Sequence, residues 1–477
     1  MIPEEKDASP SRLALVVGVA HLAWAAATLA SHPGLAFEPD RVANRLYLRG
    51  LVEGVPRLAE QWYFPAPKIV GVVLASLGTA GESVASALAA GLLAGCGSWI
   101  VARAAGPVAA LGFGLALALD PWWKSLVATA SGDLLVATGV AAVSAAWAAG
   151  ASGFAAAAVL LATLVKTPAA ACIAPFLLDA RKPFAARGGL VAAALAGLLA
   201  TLAGFAALLG DMGAPLRFLR AYAVIRGGPA PPVASWLAGW GAGDLLGGTL
   251  GWASPLVVAG LAAAIVGPRA RPLRDWLVAS LAVGAGFAIL AAATGTLLFP
   301  RFLWTVEVVT LALAAAGAAA VGRLLAGRFA DATGSTRIGT LTTSGLAALL
   351  VARLATRPGG EPERFELLYE HGARTALPWF EDIASLPPAD APVVVPLWFQ
   401  PAAMAMLPGR RVEAAETLAV RGAEPRSAGS RWLLLAPAFG EPVAAAWLAD
   451  AARGGTAIRS SEVPRMALVR VDSPAAR

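Results

Sequence analysis

The sequence predicts an all-α polytopic membrane protein of about eleven transmembrane helices, followed by a small C-terminal α/β domain. Composition is the first reason: 58% of residues are hydrophobic and 14% charged, with a mean hydropathy of +0.69, whereas soluble domains are about one quarter charged. The second is that bilayer-length apolar runs recur between residues 12 and 355. The third is a change of character after Arg357-Pro358-Gly359-Gly360, where polar residues rise and short β-rich runs begin.

With about 20 apolar residues per crossing, the spans fall near 12–30, 82–102, 105–119, 133–149, 153–166, 168–180, 188–209, 248–267, 275–298, 302–322 and 339–355. Arg12 before the first run and Ala25-Ala26-Ala27 within it resemble a signal peptide, but the length of the run favours an uncleaved anchor. One side of the membrane receives Lys6, Arg12, Arg103, Arg181, Lys182, Arg187, Arg269, Arg271, Arg274, Arg323, Arg328 and Arg337, mostly in short loops. The positive-inside rule makes that side cytoplasmic. The N-terminus is then inside, and after an odd number of spans the tail lies outside, as in a multi-pass bacterial plasma membrane protein.

The tail, residues 358–477, shows strand-like runs at Pro392 to Trp398, Arg431 to Ala436 and Met466 to Val471, with a helical stretch from Glu441 to Ala452. This reads as an extracytoplasmic α/β domain after a membrane domain spanning residues 1–357. No glycine cluster follows a strand in a phosphate-binding pattern, and Gly239-Trp240-Gly241-Ala242-Gly243 reads as a flexible loop. The net charge of +7 is spread over loops rather than gathered in a stripe, which argues against nucleic acid as a partner. Cys96 and Cys172 both lie within apolar segments, so neither a disulfide framework nor a cysteine zinc site is indicated.

Polar chemistry concentrates in the outer loops 31–81, 120–132 and 210–247. Asp40 and Glu38 follow the first span, where an ionised carboxylate can act as general base; Asp40 is equally suited to capping an amphipathic helix from Arg41 to Val52. Asp133, after Ser131-Gly132, heads an apolar helix whose dipole its charge complements. Lys68, Lys166 and Arg301 adjoin spans on this side. Most such cations snorkel to the interface, but fixed cations also hold a lipid phosphate, arginine with a bidentate fork. Trp62, Tyr63, Trp122, Trp123, Trp236 and Trp240 suit an interface belt or a stacking surface for sugars. His21, His32 and His371 have no evident nucleophile partner.

The order of these features resembles the GT-C class of polytopic glycosyltransferases, in particular the family related to protein O-mannosyltransferases and lipid A aminoarabinose transferases. The resemblance spans about residues 12–320. It is carried by Asp40 with Tyr47, by Pro65-Ala66-Pro67-Lys68, by Ser131-Gly132-Asp133-Leu134-Leu135, by Leu164-Val165-Lys166-Thr167-Pro168 and by Phe299-Pro300-Arg301-Phe302. Pro39 splits the paired acidic motif, Ala66 stands where a second proline is usual, and Phe302 replaces a tyrosine.

The resemblance implies inverting transfer of a sugar from a polyprenyl-phosphate carrier to a lipid, glycan or protein acceptor at the outer face. On it Asp40 is the general base, with Glu38 the next carboxylate, and Asp133 positions the acceptor or a metal. Arg301, Lys68 and Lys166 stabilise the departing phosphate, and Tyr47, Trp62, Trp122 and Trp123 line the substrate. A divalent metal is allowed, though no compact ligand cluster calls for one. The rival reading is a lipid or solute transporter or flippase, which requires polar residues along its spans. Here the span interiors are nearly all Ala, Leu, Val and Gly, which favours catalysis at the surface over a conduit or a scaffold.

Overall fold

The computed structural model describes residues 8–32, 39–52, 69–210, 212–213, 216, 232–295, 300–328, 335–356, 361–425, 429–440 and 442–472. Its membrane part begins with α1 (Ala8–Ser31), the amphipathic α2 (Pro39–Val52), α3 (Ile69–Ala75), α4 (Gly78–Ala105) and α5 (Pro107–Ala118). There follow α6 (Pro121–Ala128), α7 (Gly132–Ala148), α8 (Ser152–Val165), a 3₁₀ turn at Thr167–Ile173, α9 (Ala174–Leu177) and α10 (Phe184–Leu209). After α11 (Val233–Gly239) the helix widens to a π form over Trp240–Leu250 and returns as α12 (Ser254–Val266). It ends with α13 (Arg271–Thr294), α14 (Trp304–Arg328) and α15 (Ser335–Ala355).

Where described, each of the eleven apolar runs is mainly helical, but not each is a full crossing. Among the described residues seven helices are long and apolar enough to span, and α6 with α7 forms a further pair broken by a 113° bend. At 1.5 Å per residue the 12-residue α5 and the 14-residue α8 reach only about 18 and 21 Å, short of a hydrocarbon core of roughly 30 Å. Two loop assignments change as well. Gly239 through Gly243 are helical rather than a flexible connection, and they belong to the apolar run Val233–Val266, which shortens the expected loop 210–247.

Small residues let these helices touch, because in lipid close backbone contact replaces the hydrophobic drive. Gly18 of α1 faces Gly91 of α4: a Cβ at Gly18 would lie 3.0 Å from the Gly91 carbonyl oxygen, and one at Gly91 2.9 Å from that of Gly18. The fit of α12 on α14 is closer still. A Cβ at Gly260 would overlap the Leu313 carbonyl, and one at Gly317 that of Leu256. The first two-thirds of α14 are buried nearly all round, which makes it the central helix.

The C-terminal unit carries α16 (Glu361–Ser385), α17 (Gln400–Met406), α18 (Ala415–Val420) and α19 (Pro442–Ala451) around one sheet. Its strands are β1 (Val393–Val395), β2 (Val412–Ala414), β3 (Arg431–Leu435), β4 (Thr456–Glu462) and β5 (Arg465–Val471), in the order β2-β1-β3-β5-β4. β2, β1 and β3 are parallel, and β5 and β4 are added antiparallel. One face packs Trp432 and Leu434 against Phe380 and Ile383 of α16; the other packs Val394 and Leu433 against Trp447 and Leu448 of α19. β2 and β4 have no counterpart in the sequence reading, since β2 is three residues long and β4 is almost wholly exposed and polar.

This unit sits at one defined end of the helical bundle. Ala128, the last residue of α6, joins the apolar cluster of Trp379 and Phe380. Met404 of α17 packs on the cluster of Ala43, Tyr47 and Val72. His32, just past α1, meets Glu370 of α16 with Nδ1 and Oε2 2.8 Å apart. The 24 residues of α1 rise about 36 Å, so the start of α1 lies at the opposite end from the sheet.

Candidate active site

The elbow between α6 and α7 organises this end of the bundle. Asp120 starts α6 by accepting a hydrogen bond from the Trp122 amide at 3.3 Å, with Pro121 in the first turn where its missing N–H costs nothing. Ala130 then takes φ +48°, a left-handed conformation that costs an L-residue about 1–2 kcal/mol. Ser131 caps α7, its hydroxyl accepting from the Asp133 amide at 3.2 Å. This sharp reversal leaves Asp133 buried in the first turn of α7.

Three elements bring their charges to Asp133. α8 stops at Val165, Lys166 is extended, and Pro168 opens the following 3₁₀ turn, so that Lys166 leaves the helix and its ammonium pairs with Asp133 Oδ1. Arg301 lies in the 3₁₀ turn Pro300–Leu303 ahead of α14, with its Nε 3.9 Å from Asp133 Oδ2. Ser131 Oγ donates to that same oxygen at 3.3 Å. Beneath the cations, Phe287 and Phe302 stack with ring centres 5.1 Å apart, and Lys166 Nζ stands 4.4 Å from the Phe302 centroid. An aromatic face gives a partly desolvated cation a second favourable contact.

Beside this cluster opens a cleft with about 490 Å³ of space, its mouth included, lined by Arg41, Asn44, Glu82, Thr129, Ser131 and Gly132 among others. Glu82, in α4, accepts from Arg41 Nε at 3.1 Å and pairs with Arg45 through the same oxygen. Arg41 also donates to the Ala128 carbonyl at 3.3 Å. Both Arg41 and Glu82 are buried. Asp120 is buried too, and the Trp304 indole donates to its second oxygen.

The expected site residues fare differently. Asp133, Lys166 and Arg301, separated in sequence, meet in one cluster. Asp40 is the second residue of α2, which begins at Pro39 rather than at Arg41, so Asp40 stands inside the first turn instead of at the cap. Its side chain, and Glu38, Trp62, Tyr63 and Lys68 altogether, lie outside the described residues. Trp122 is half-buried against the helical core.

Two expected lining residues are buried. Trp123 is fully buried and packs edge-on to His21, with ring centres 5.4 Å apart, so its faces serve the core and not a substrate. Tyr47 is buried between α2, α3 and α17, and burial pushes its phenol up from the usual value. Both oxygens of Asp133, expected to position an acceptor or a metal, are engaged by Lys166, Ser131 and Arg301. Two cations around one carboxylate make a poor cation site, and among the described residues no group of three or more His, Cys, Asp or Glu side chains gathers elsewhere.

Glu82 and Glu307 escaped the sequence reading, which placed Asp120 in the outer loop 120–132. Glu307, buried in the first turn of α14, accepts from Thr249 Oγ1 at 3.1 Å. The available signal was a lone carboxylate within the first turn of an apolar run, which has to find a partner. A separate cluster forms at the far end of α7. There Asp179 accepts from the Trp147 indole at 3.0 Å and pairs with Arg271 at 2.7 Å. Burial alone would raise its pKa, but hydrogen bonds from Arg271 and Trp147, with the charges of Arg271 and Lys182, hold it below the usual carboxylate range. These bonds tie α7, the loop after α9 and α13 together at the end opposite Asp133.

No family model matches the sequence, and no curated protein matches it. Among solved structures the chain is similar to ArnT from Cupriavidus metallidurans bound to undecaprenyl phosphate, with a TM-score of 0.54 and 16% identity over 95% of this chain and 97% of that one. ArnT from the same organism in the apo state gives 0.53 and 16% over 97% and 98%. An Archaeoglobus fulgidus oligosaccharyltransferase in complex with zinc and sulfate gives 0.42 and 13% over 83% and 62%. The match to ArnT runs the length of both chains, through the helical bundle and the C-terminal unit alike: the chain has the fold of a GT-C glycosyltransferase, the class its motifs resemble.

Proposed function

We propose that this chain is an integral membrane glycosyltransferase that takes a sugar from a polyprenyl-phosphate carrier and passes it, with inversion, to a lipid, glycan or protein acceptor at the outer membrane face. The observation that carries the reading is the meeting of Lys166 and Arg301, from separate elements, over buried Asp133 beside a cleft. A phosphate leaving group gains negative charge as the glycosidic bond breaks, and cations already fixed where that charge develops stabilise the transition state without reorganising. Asp133 keeps the two cations in place between turnovers, and the aromatic pair beneath them sets Lys166.

The acceptor approaches from the other wall of the cleft. That wall includes Arg41, and Asp40 precedes it at the head of α2, which suits a carboxylate acting as general base on the acceptor hydroxyl or amine. In a single displacement the base and the departing phosphate lie on opposite sides of the anomeric carbon, and the cleft has α2 on one side and the Thr129–Gly132 elbow, next to the Asp133 cluster, on the other. The ArnT structure with undecaprenyl phosphate supports a carrier of this class. The C-terminal unit packs at this same end, which in this reading is the outside. A transporter would require a polar path through the bundle, yet the buried residues of α14 at its centre are mostly Ala, Val, Leu and Gly.

The test is transfer from a polyprenyl-phosphate sugar by purified protein. Asp40→Asn keeps the shape and removes the basicity, so transfer should fall by roughly a hundredfold or more with the melting temperature nearly unchanged. Full activity in Asp40→Asn would remove Asp40 as the base, and Glu38 would be next.

A further inference from the structure

We propose that Glu82 is a positioning residue for transfer: through Arg41 and Arg45 it fixes the amphipathic helix α2, with Asp40 at its head, against the α6–α7 elbow that carries Asp133. Its catalytic consequence rests on the transferase reading above; the positioning itself does not.

The buried network is compact. Glu82 Oε2 receives Arg41 through Nε at 3.1 Å and a terminal nitrogen at 3.0 Å, and Arg45 as well. Arg41 reaches past Glu82 to the Ala128 carbonyl at the end of α6. One turn further along α4, Ser86 donates to the neighbouring Val127 carbonyl at 2.8 Å. A single face of α4 therefore holds both the start of α2 and the end of α6, which leads into the Thr129–Gly132 elbow that lines the cleft.

α2 meets the bundle on an apolar side as well. It is amphipathic, with its apolar side on α3 and on Met404 of the C-terminal unit. Apolar contacts of this kind tolerate sliding, whereas one carboxylate shared by two guanidiniums admits a single register. A misplacement of about 1 Å at a reacting group costs on the order of a hundredfold in rate, so a residue that sets the register of α2 governs kcat without touching substrate. The donor cations Lys166 and Arg301 belong to other elements and are not held by Glu82.

The experiment pairs backbone hydrogen exchange with steady-state transfer kinetics on full-length protein. Glu82→Gln should raise exchange over α2 while leaving α7 protected. It should lower kcat by about a hundredfold, with the donor KM close to the wild-type value. Glu82→Asp, which retains the charge, should recover most of the α2 protection and part of kcat. If Glu82→Gln does not yield folded protein, Arg45→Gln removes the more exposed of the two guanidiniums and should loosen α2 in the same direction. Unchanged exchange over α2 would overturn the proposal, as would a loss of kcat that tracks only the loss of folded protein. If α2 loosens but even the wild type transfers no sugar, the positioning role holds and the transferase reading fails.

Discussion

Asp133→Asn isolates the charge that holds Lys166 and Arg301 together. The substitution keeps the side-chain volume and leaves the Ser131 cap on the residue-133 amide intact, but it leaves two cations facing a neutral amide. Removing one partner of a buried ion pair costs about 3–5 kcal/mol, because the other charge stays desolvated. The Lys166 side chain is 12% exposed and in direct contact, while Arg301 is 27% exposed and 3.9 Å away. Lys166 therefore dominates, and the cost lies near the lower bound, about 3 kcal/mol. Thermal unfolding in detergent reads this directly, and adding a polyprenyl phosphate extends the test. A ligand at a hundred times its Kd stabilises by about 2.7 kcal/mol, and a phosphate that replaces the missing carboxylate should bind the variant more tightly than the wild type. Rescue by the lipid phosphate should thus be larger in Asp133→Asn than in the parent. A variant as stable as the parent, or one the lipid phosphate rescues no better, would refute the reasoning.

Three further outcomes follow from other parts of the structure. Ala130→Gly relieves the left-handed strain at φ +48° and should stabilise by up to about 1 kcal/mol after the entropy cost of glycine; a lower melting temperature would show that the Ala130 methyl contributes packing that outweighs the strain. Gly317→Leu drives a side chain into the Leu256 carbonyl of α12 and should destabilise by about 3 kcal/mol or more, whereas the same change at Gly153, which has open space around it, should be nearly neutral. Asp179 has a depressed folded pKa, so its contribution is complete above the unfolded value of about 3.9 and is lost as pH falls through the folded one. The stability difference between wild type and Asp179→Asn should then be flat from neutral pH to about pH 4 and shrink only below that, as thermal melts across pH would show; a difference that is already lost between pH 6 and 5 would contradict it.

The apolar runs were legible because hydropathy reports helices directly; their lengths were not, since glycine-proline starts α5, aspartate-proline follows it, and a lysine-threonine-proline turn ends α8 within an otherwise apolar sequence. Asp133, Lys166 and Arg301 each stood out as a charge next to a span. Their convergence did not, because Lys166 leaves α8 in an extended conformation that no period encodes. Glu82 reads as the first residue of an apolar span, and nothing near it in sequence announces Arg41, 41 residues away. Trp123 reads as an interface aromatic and Tyr47, by the resemblance, as a substrate-lining residue, yet α6 turns the first into the bundle and the C-terminal unit covers the second. The strands with buried apolar runs were visible, whereas β4 depends on pairing with β5 rather than on its own burial.

The central claim is that Lys166 and Arg301 form the phosphate cradle of a polyprenyl-phosphate donor, and equilibrium binding of a polyprenyl phosphate to purified protein tests it most directly. Each charge-assisted hydrogen bond is worth about 1.5–3 kcal/mol, so Lys166→Met with Arg301→Met should weaken binding by at least about a hundredfold relative to wild type. Saturable wild-type binding with that loss is the predicted result; equal affinity in wild type and double variant, or no binding to either, would contradict it.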